Sequence, residues 1–222
     1  ATVFGLMEAL YSTGYMGRVN GIACLAENMP GSGAYRPGDV FETYSGKTVE
    51  VFSTDAEGRN VLSDGLWKAG EYDPEYIVDL ATLTGAVIVA LGNQISGMWS
   101  NNEDIATRLK NAAERSGESV WRMPLNDQFR KYMTDSAFAD IRNGSIGGRA
   151  GSSNTAAAFL EFFVPNRGFE KEGEKIPWVH LDIAGSAWGP GSKARSENVN
   201  PLFQYGTSGI HVRTLHRLIT EN

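Results

Sequence analysis

The chain has 222 residues, of which 41% are hydrophobic and 21% charged, and its formal net charge is −6. This length and composition predict one globular domain over residues 1–222. The negative charge, with no basic face in the sequence, argues against nucleic acid as a partner. No apolar stretch approaches the ~20 residues of a membrane span, so no membrane partner is expected either. A single cysteine, Cys24, cannot form an internal disulfide, and this favours a reducing compartment such as the cytoplasm.

The spacing of apolar residues predicts helices and strands in alternation along the chain. It predicts helices over residues 1–15, 60–69, 102–115, from Ser152 or Ser153 to 163, and 210–220. It predicts strands at 19–25, 48–52, 76–80 and 178–183, the third of them central. Loops are expected at 30–38, 144–151 and 192–200. Apolar strands that alternate with helices favour an α/β fold, a mixed central sheet with helices on both faces.

The most informative segment is Ser-Thr-Asp-Ala-Glu-Gly-Arg at residues 53–59. In an extended segment the side chains of Asp55 and Glu57 would point to the same side. Carboxylate oxygens suit divalent cations, and a bridging carboxylate can hold two metals about 3.5–4 Å apart. Gly58 permits a sharp turn, and Arg59 offers a planar donor fork for an oxyanion. Taken alone, the segment also fits an exposed acidic turn that is salt-bridged to the arginine.

Other motifs flank this segment in a fixed order. They are Met29-Pro30, Arg-Pro-Gly-Asp at 36–39, Gly-Lys-Thr-Val-Glu-Val at 46–51, His-Leu-Asp-Ile-Ala-Gly at 180–185, and Gly206, Gly209, Val212 and Arg213. Together with the central segment, this series resembles the carboxyl part of the catalytic domain of the leucyl aminopeptidase, or cytosol aminopeptidase, family. The resemblance spans essentially the whole chain and implies part of a zinc-peptidase-like catalytic domain.

The resemblance implies roles for seven residues. Asp55 and Glu57 would ligate two divalent metal ions, zinc or, in its place, manganese, magnesium or cobalt. Arg59 would be catalytic, because it would bind a bicarbonate anion that relays a proton from the attacking water. The substrate pocket would be lined by Thr82, Leu83, Thr84 and Gly85. From the residues alone, the segment 82–85 reads equally well as an ordinary threonine cap on a helix.

The function implied is hydrolysis of peptide substrates to release N-terminal amino acids, leucine-like ones preferred, by a homo-oligomer, a hexamer in this family. This sequence departs from the family pattern in two ways. Ser53 replaces the family's usual asparagine. Residues 1–222 also lack further metal ligands and an N-terminal domain, which are expected in a segment before Ala1. The residues 1–222 alone are therefore expected to be inactive. The alternative is a catalytically inactive structural member that keeps the fold and the assembly surfaces.

Other residues are weaker candidates for a catalytic or metal-binding role. His211 and His216 are spaced unlike a zinc pair and are expected at the surface. His180 and Asp182 are expected to form a buried, hydrogen-bonded structural pair. The glycine-rich loop 144–151 lacks the Gly-Lys-Ser/Thr ending of a phosphate loop, and no Gly-x-Ser-x-Gly elbow occurs. Cys24 is interpreted as a core residue in a buried strand and not as a nucleophile.

Overall fold

The computed structural model describes residues 1–145, 147–170, 172–188 and 206–221. Its helices are α1 Thr2–Ser12, α2 Glu57–Gly70, α3 Gly85–Leu91, α4 Glu103–Ser116, α5 Asp127–Met133, α6 Ser152–Phe163 and α7 Val212–Thr220. Its strands are β1 Val40–Glu42, β2 Thr48–Glu50, β3 Ile77–Ala81, β4 Ile95–Ser100, β5 Ser119–Arg122, β6 Ile141–Arg142 and β7 Trp178–Asp182. The loop expected at 192–200 lies outside the described residues.

The larger sheet has four strands in the order β3-β7-β4-β5. β3 runs parallel to β7, β7 antiparallel to β4, and β4 parallel to β5, so the predicted mixed sheet is confirmed. The register pairs Asp79 with His180 and Ala81 with Asp182. Contrary to expectation, β3 is an edge strand, since within the described ranges it pairs with β7 alone.

Helices cover both faces of this sheet, as predicted. Side chains alternate along a strand, so neighbours in sequence enter different cores. Met98 and Leu181 belong to a core with α1, α4 and α7. Trp99 and Trp178 belong to a second core with α2 and α6.

A smaller sheet carries the chain into the 53–59 segment. Its order is β1-β2-β6, with β1 antiparallel to β2 and β2 parallel to β6. Val49 and Ile141, which face each other in this sheet, are fully buried. The sheet therefore anchors the residues that follow β2 and β6, at 51–53 and at 143.

The structure corrects two local expectations. Residues 19–25 form no strand; Ile22 and Cys24 are half-buried, and Leu25 is 81% exposed. Cys24 packs instead against α2, where its Sγ occupies the space above Gly65, and Gly21 lies against Val3 and Met7 of α1. Helix α6 begins at Ser152 but has Gly151, at φ 63°, as its N-cap, with no serine side chain capping it. None of the described helices is long and apolar enough to cross a membrane.

Candidate active site

The two carboxylates of the 53–59 segment reach one groove by a helical turn and not by an extended strand. Ser53 is extended, but Thr54–Ala56 form a 3-10 turn and Glu57 opens α2. The extended geometry expected from the sequence is therefore wrong at this point. Asp55 is exposed and Glu57 half-buried, and both line a groove of about 1310 Å³ beside α2 and β3. Glu57 Oε1 accepts a hydrogen bond from Asn28 Nδ2 at 3.2 Å.

Arg59 is buried, and its guanidinium is only partly satisfied. Nη1 donates to the carbonyl oxygen of Asn143 at 2.8 Å, while Nε has no hydrogen-bond partner among the described residues. Burial lowers the pKa of Arg59 to about 10, and the carboxylates of Asp182 and Glu57 oppose that shift. The alternative of an exposed acidic turn salt-bridged to this arginine is not supported, because Arg59 is buried and forms no ion pair with Asp55 or Glu57 among the described residues. A buried cationic donor with an unpaired N–H suits an anion.

Asn143, which the sequence analysis missed, fixes the segment at two points. Its Oδ1 accepts hydrogen bonds from the backbone N–H groups of Phe52 at 2.8 Å and Ser53 at 3.0 Å. Its Nδ2 donates to the carbonyl oxygen of Ser53 at 2.9 Å. Its own carbonyl holds Arg59. Because Asn143 binds the backbone of Ser53, this clamp does not depend on the side chain at position 53.

The turn at 82–85 follows the carboxyl end of β3. Thr84 caps α3, because its Oγ1 accepts from the backbone N–H of Val87 at 3.3 Å. The same hydroxyl donates to Asp182 Oδ2 at 2.6 Å. The helix cap that the sequence allowed is therefore present, and Thr82 and Gly85 on either side of Leu83 and Thr84 are exposed to solvent. The substrate-binding role of this turn stays a prediction.

The turn and the 53–59 segment touch each other. Leu83 Cδ1 lies 3.5 Å from the position that a Cβ atom on Gly58 would occupy. Thr82 lines the same groove as Asp55 and Glu57. The structure thus brings together residues about 25 positions apart that the sequence analysis assigned to metal and substrate roles, whereas Arg59 does not line this groove.

His180 and Asp182 are both buried and hydrogen-bonded, as expected, but not to each other. His180 Nδ1 bonds Asp79 Oδ1 at 2.6 Å, and Trp178 Nε1 donates to Asp79 Oδ2 at 2.6 Å. Burial acts to lower the pKa of His180, but the Asp79 carboxylate outweighs burial, and the pKa is raised. Asp182 instead binds the turn at 82–85.

His211 is wholly buried, which contradicts the expected surface position. Its Nε2 bonds Ser96 Oγ at 2.8 Å, and burial lowers its pKa to about 4. Glu118, also buried, accepts from the backbone N–H groups of His211 and Thr214 and from Thr214 Oγ1. This carboxylate satisfies the open N–H groups at the start of α7, which packs deep against α4. His216 is half-buried and bonds Thr13 Oγ1 at 3.0 Å.

The described residues do not form a complete metal site by themselves. No three His, Cys, Asp or Glu side chains within them are grouped so as to hold a metal ion. Asp55 and Glu57 offer carboxylate oxygens to one groove, which fits part of a ligand set for a divalent cation.

Comparison with known proteins identifies what this site is similar to. The model of the cytosol aminopeptidase family, catalytic domain, matches residues 1–216. A probable cytosol aminopeptidase of Bradyrhizobium sp. is 47% identical over 220 residues, which are 99% of this chain and 40% of that protein. The cytosol aminopeptidase of Vibrio cholerae is 48% identical over 192 residues, 86% of this chain and 36% of that protein.

A solved structure of a tomato leucine aminopeptidase mutant superposes with a TM-score of 0.81 at 36% sequence identity. That match covers all of this chain and 40% of the tomato chain. The chain spans about two fifths of the length of these relatives. Because the family model matches residues 1–216 of this chain and a solved relative shares its α/β fold, the chain belongs to the cytosol aminopeptidase family.

Proposed function

We propose that the chain forms part of an aminopeptidase that releases N-terminal amino acids, leucine-like ones preferred, from peptide substrates. The observation that carries this proposal is Arg59, a buried guanidinium whose Nε has no partner among the described residues, two positions after Glu57, which lines the groove with Asp55. Burial of an arginine charge is unfavourable unless a partner compensates it. A bound anion would supply that compensation.

Asp55 and Glu57 are the proposed ligands of two divalent metal ions, zinc or else manganese, magnesium or cobalt. Their oxygens suit such cations, and both side chains line the groove. Two carboxylates are too few for two metals, so further ligands would come from outside the described residues. When bound, the metals would polarise the scissile carbonyl and lower the pKa of a coordinated water.

Arg59 would serve as the anion-binding catalytic residue. Asn143 holds Nη1 of Arg59 through its carbonyl, so the guanidinium is fixed in orientation and Nε is left for a ligand such as bicarbonate. The bound anion would accept the proton that the nucleophilic water loses. Arg59 itself, with its pKa near 10, stays protonated at neutral pH and so acts as a fixed positive charge.

The turn of Thr82, Leu83, Thr84 and Gly85 would line the substrate pocket. It lies beyond the carboxyl end of β3, where ligand sites of α/β sheets gather. Contact between Leu83 and Gly58 places this turn beside the proposed metal and anion ligands. A cytoplasmic location and a hexameric assembly are further parts of the proposal, supported by family membership.

A catalytically inactive structural relative is the competing candidate. A scaffold gains nothing from a buried guanidinium whose Nε finds no partner in the described part of the chain, and a buried unsatisfied donor costs about 1–3 kcal/mol. The orphaned Nε therefore favours the enzyme.

The test uses the encoded full-length protein and a leucyl amide substrate. Chelation should abolish hydrolysis, and zinc or manganese should restore it. Asp55→Asn should lower the bound metal as well as the activity. Asp127→Asn, which changes a wholly exposed carboxylate on α5, is the matched control and should change neither. Hydrolysis that survives both chelation and Asp55→Asn would refute the metal assignment, and absence of hydrolysis with metal bound would favour the structural candidate.

A further inference from the structure

Asp182, at the end of β7, connects the two halves of the proposed site. We propose that Asp182 is a positioning residue that holds the turn at 82–85 against the 53–59 segment and so sets the shape of the substrate pocket. The inference rests on the proposed function and adds to it a residue that acts through the turn and not on substrate itself.

The carboxylate of Asp182 makes three hydrogen bonds to the described residues, two of them to the turn. Oδ1 accepts from the backbone N–H groups of Leu83 at 3.1 Å and Ala184 at 3.2 Å. Oδ2 accepts from Thr84 Oγ1 at 2.6 Å. The residue is 1% exposed, so water does not compete for these bonds. Because Ala81 and Asp182 are paired in register, the carboxylate lies where the chain leaves β3.

A neutral amide would not replace this carboxylate. The hydroxyl of Thr84 accepts from the backbone N–H of Val87 and donates its own hydrogen to Asp182 Oδ2. In Asp182→Asn, an amide rotamer that keeps the acceptor for Leu83 and Ala184 turns an NH₂ group toward that hydroxyl. The hydroxyl then loses the acceptor of its own hydrogen at a buried position, so the turn has to shift or leave that hydrogen unpaired.

The turn also contacts the 53–59 segment, so a shift of one displaces the other. Leu83 packs over Gly58, between Glu57 and Arg59 in sequence. Asp182 further provides a negative charge that favours the charged form of Arg59. A shift of the turn therefore moves the wall of the pocket relative to the guanidinium, and a misplacement of 1 Å in such a site costs about 100-fold in rate.

Glu118 provides a matched control elsewhere in the fold. It is a buried carboxylate that also accepts from two backbone N–H groups and one threonine hydroxyl, those of His211 and Thr214. It caps α7 and contacts neither the turn nor the 53–59 segment in the hydrogen bonds and ion pairs of the described residues. Glu118→Gln should therefore weaken the fold as Asp182→Asn does, without touching the turn at 82–85 or the 53–59 segment.

The experiment measures kcat/KM of the full-length, metal-loaded protein for leucyl and alanyl amides, together with hydrogen exchange of the backbone amides. The ratio of the two kcat/KM values does not depend on the folded fraction, so a merely structural role would not move it. Asp182→Asn should lower leucyl kcat/KM at least tenfold, change the ratio at least threefold, and speed exchange at 82–87 at least tenfold. Thr84→Val should change the ratio in the same direction and Thr84→Ser should restore it, while Glu118→Gln should lower Tm alone.

An unchanged ratio in Asp182→Asn, or an equal change in Glu118→Gln, would overturn the positioning role. Exchange at 82–87 that stays at the wild-type rate would overturn the claim that Asp182 holds the turn. If the wild-type protein hydrolysed neither amide, the proposed function would fall. The exchange comparison of Asp182→Asn with Glu118→Gln would then still decide, by itself, whether Asp182 holds the turn.

Discussion

Asn143 is expected to contribute more to stability than an ordinary loop asparagine, and Asn143→Ala tests this. The side chain is fully buried and forms three hydrogen bonds with the backbone of Phe52 and Ser53. The net contribution of a hydrogen bond is about 1 kcal/mol, and a buried group left unpaired costs about 1–3 kcal/mol. Phe52 is 43% exposed and Ser53 half-buried, so water would satisfy part of what is lost. We therefore expect a loss of about 2–3 kcal/mol in the free energy of unfolding.

The assay is urea denaturation of the full-length protein, with leucyl amide hydrolysis measured in parallel. Asn102→Ala is the control, because Asn102 Oδ1 accepts from the backbone N–H groups of Asp104 and Ile105 and only caps α4. That substitution should cost about 1 kcal/mol and leave hydrolysis unchanged. Asn143→Ala should also lower kcat, since the carbonyl that holds Arg59 moves with the loosened segment. If Asn143→Ala cost no more than Asn102→Ala, the clamp inferred from the structure would be wrong.

Three further predictions concern single positions. Arg59→Met removes a buried charge at similar volume, so the free energy of unfolding should stay the same or rise. The kcat should fall while the bound metal is retained. Loss of the metal would instead mark Arg59 as a structural support. Burial lowers the pKa of His211 from 6.5 to about 4, so the folded state binds fewer protons than the unfolded state in this interval. Stability is therefore full above pH 6.5 and declines as the pH falls toward 4, and urea midpoints at pH 7 and pH 5 should differ less in His211→Asn than in wild type. Gly117→Ala places a side chain at φ 67° with open space around it, so it should cost about 1 kcal/mol through backbone strain alone, measured as a lower Tm without loss of kcat.

Local signals in the sequence were sufficient to predict some elements correctly, and helix α4 is the clearest case. Helix α4 combines a capping residue, Asn102, with an apolar stripe and a terminal glycine, and Ile105, Leu109 and Ala112 are buried as expected. The stretch at 19–25 has the composition of a strand but forms none in the described residues. A strand needs a partner, and sequence composition does not show whether one is available.

The candidate site depends on contacts that no local pattern contains. Asp182 meets the turn at 82–85 because two parallel strands about 100 residues apart share a register. Asn143 reaches Ser53 across about 90 residues, and no local pattern in the sequence pointed to it. His211 was expected at the surface of the last helix, yet Glu118 satisfies the start of α7 from within the core. The ordered motifs located the site, and the sheet register determined which residues support it.

Strand β3 has a consequence for handling the protein at the bench. All five of its residues line the groove, and within the described ranges its second edge has no strand beside it. Such an edge offers open backbone N–H and C=O groups on which a strand from another molecule can add. Natural edges often discourage this with charge, but the one charged side chain of β3, Asp79, is engaged by Trp178 and His180. Preparations that leave this edge uncovered will self-associate as their concentration rises, and whatever segment covers it contributes solubility as well as structure.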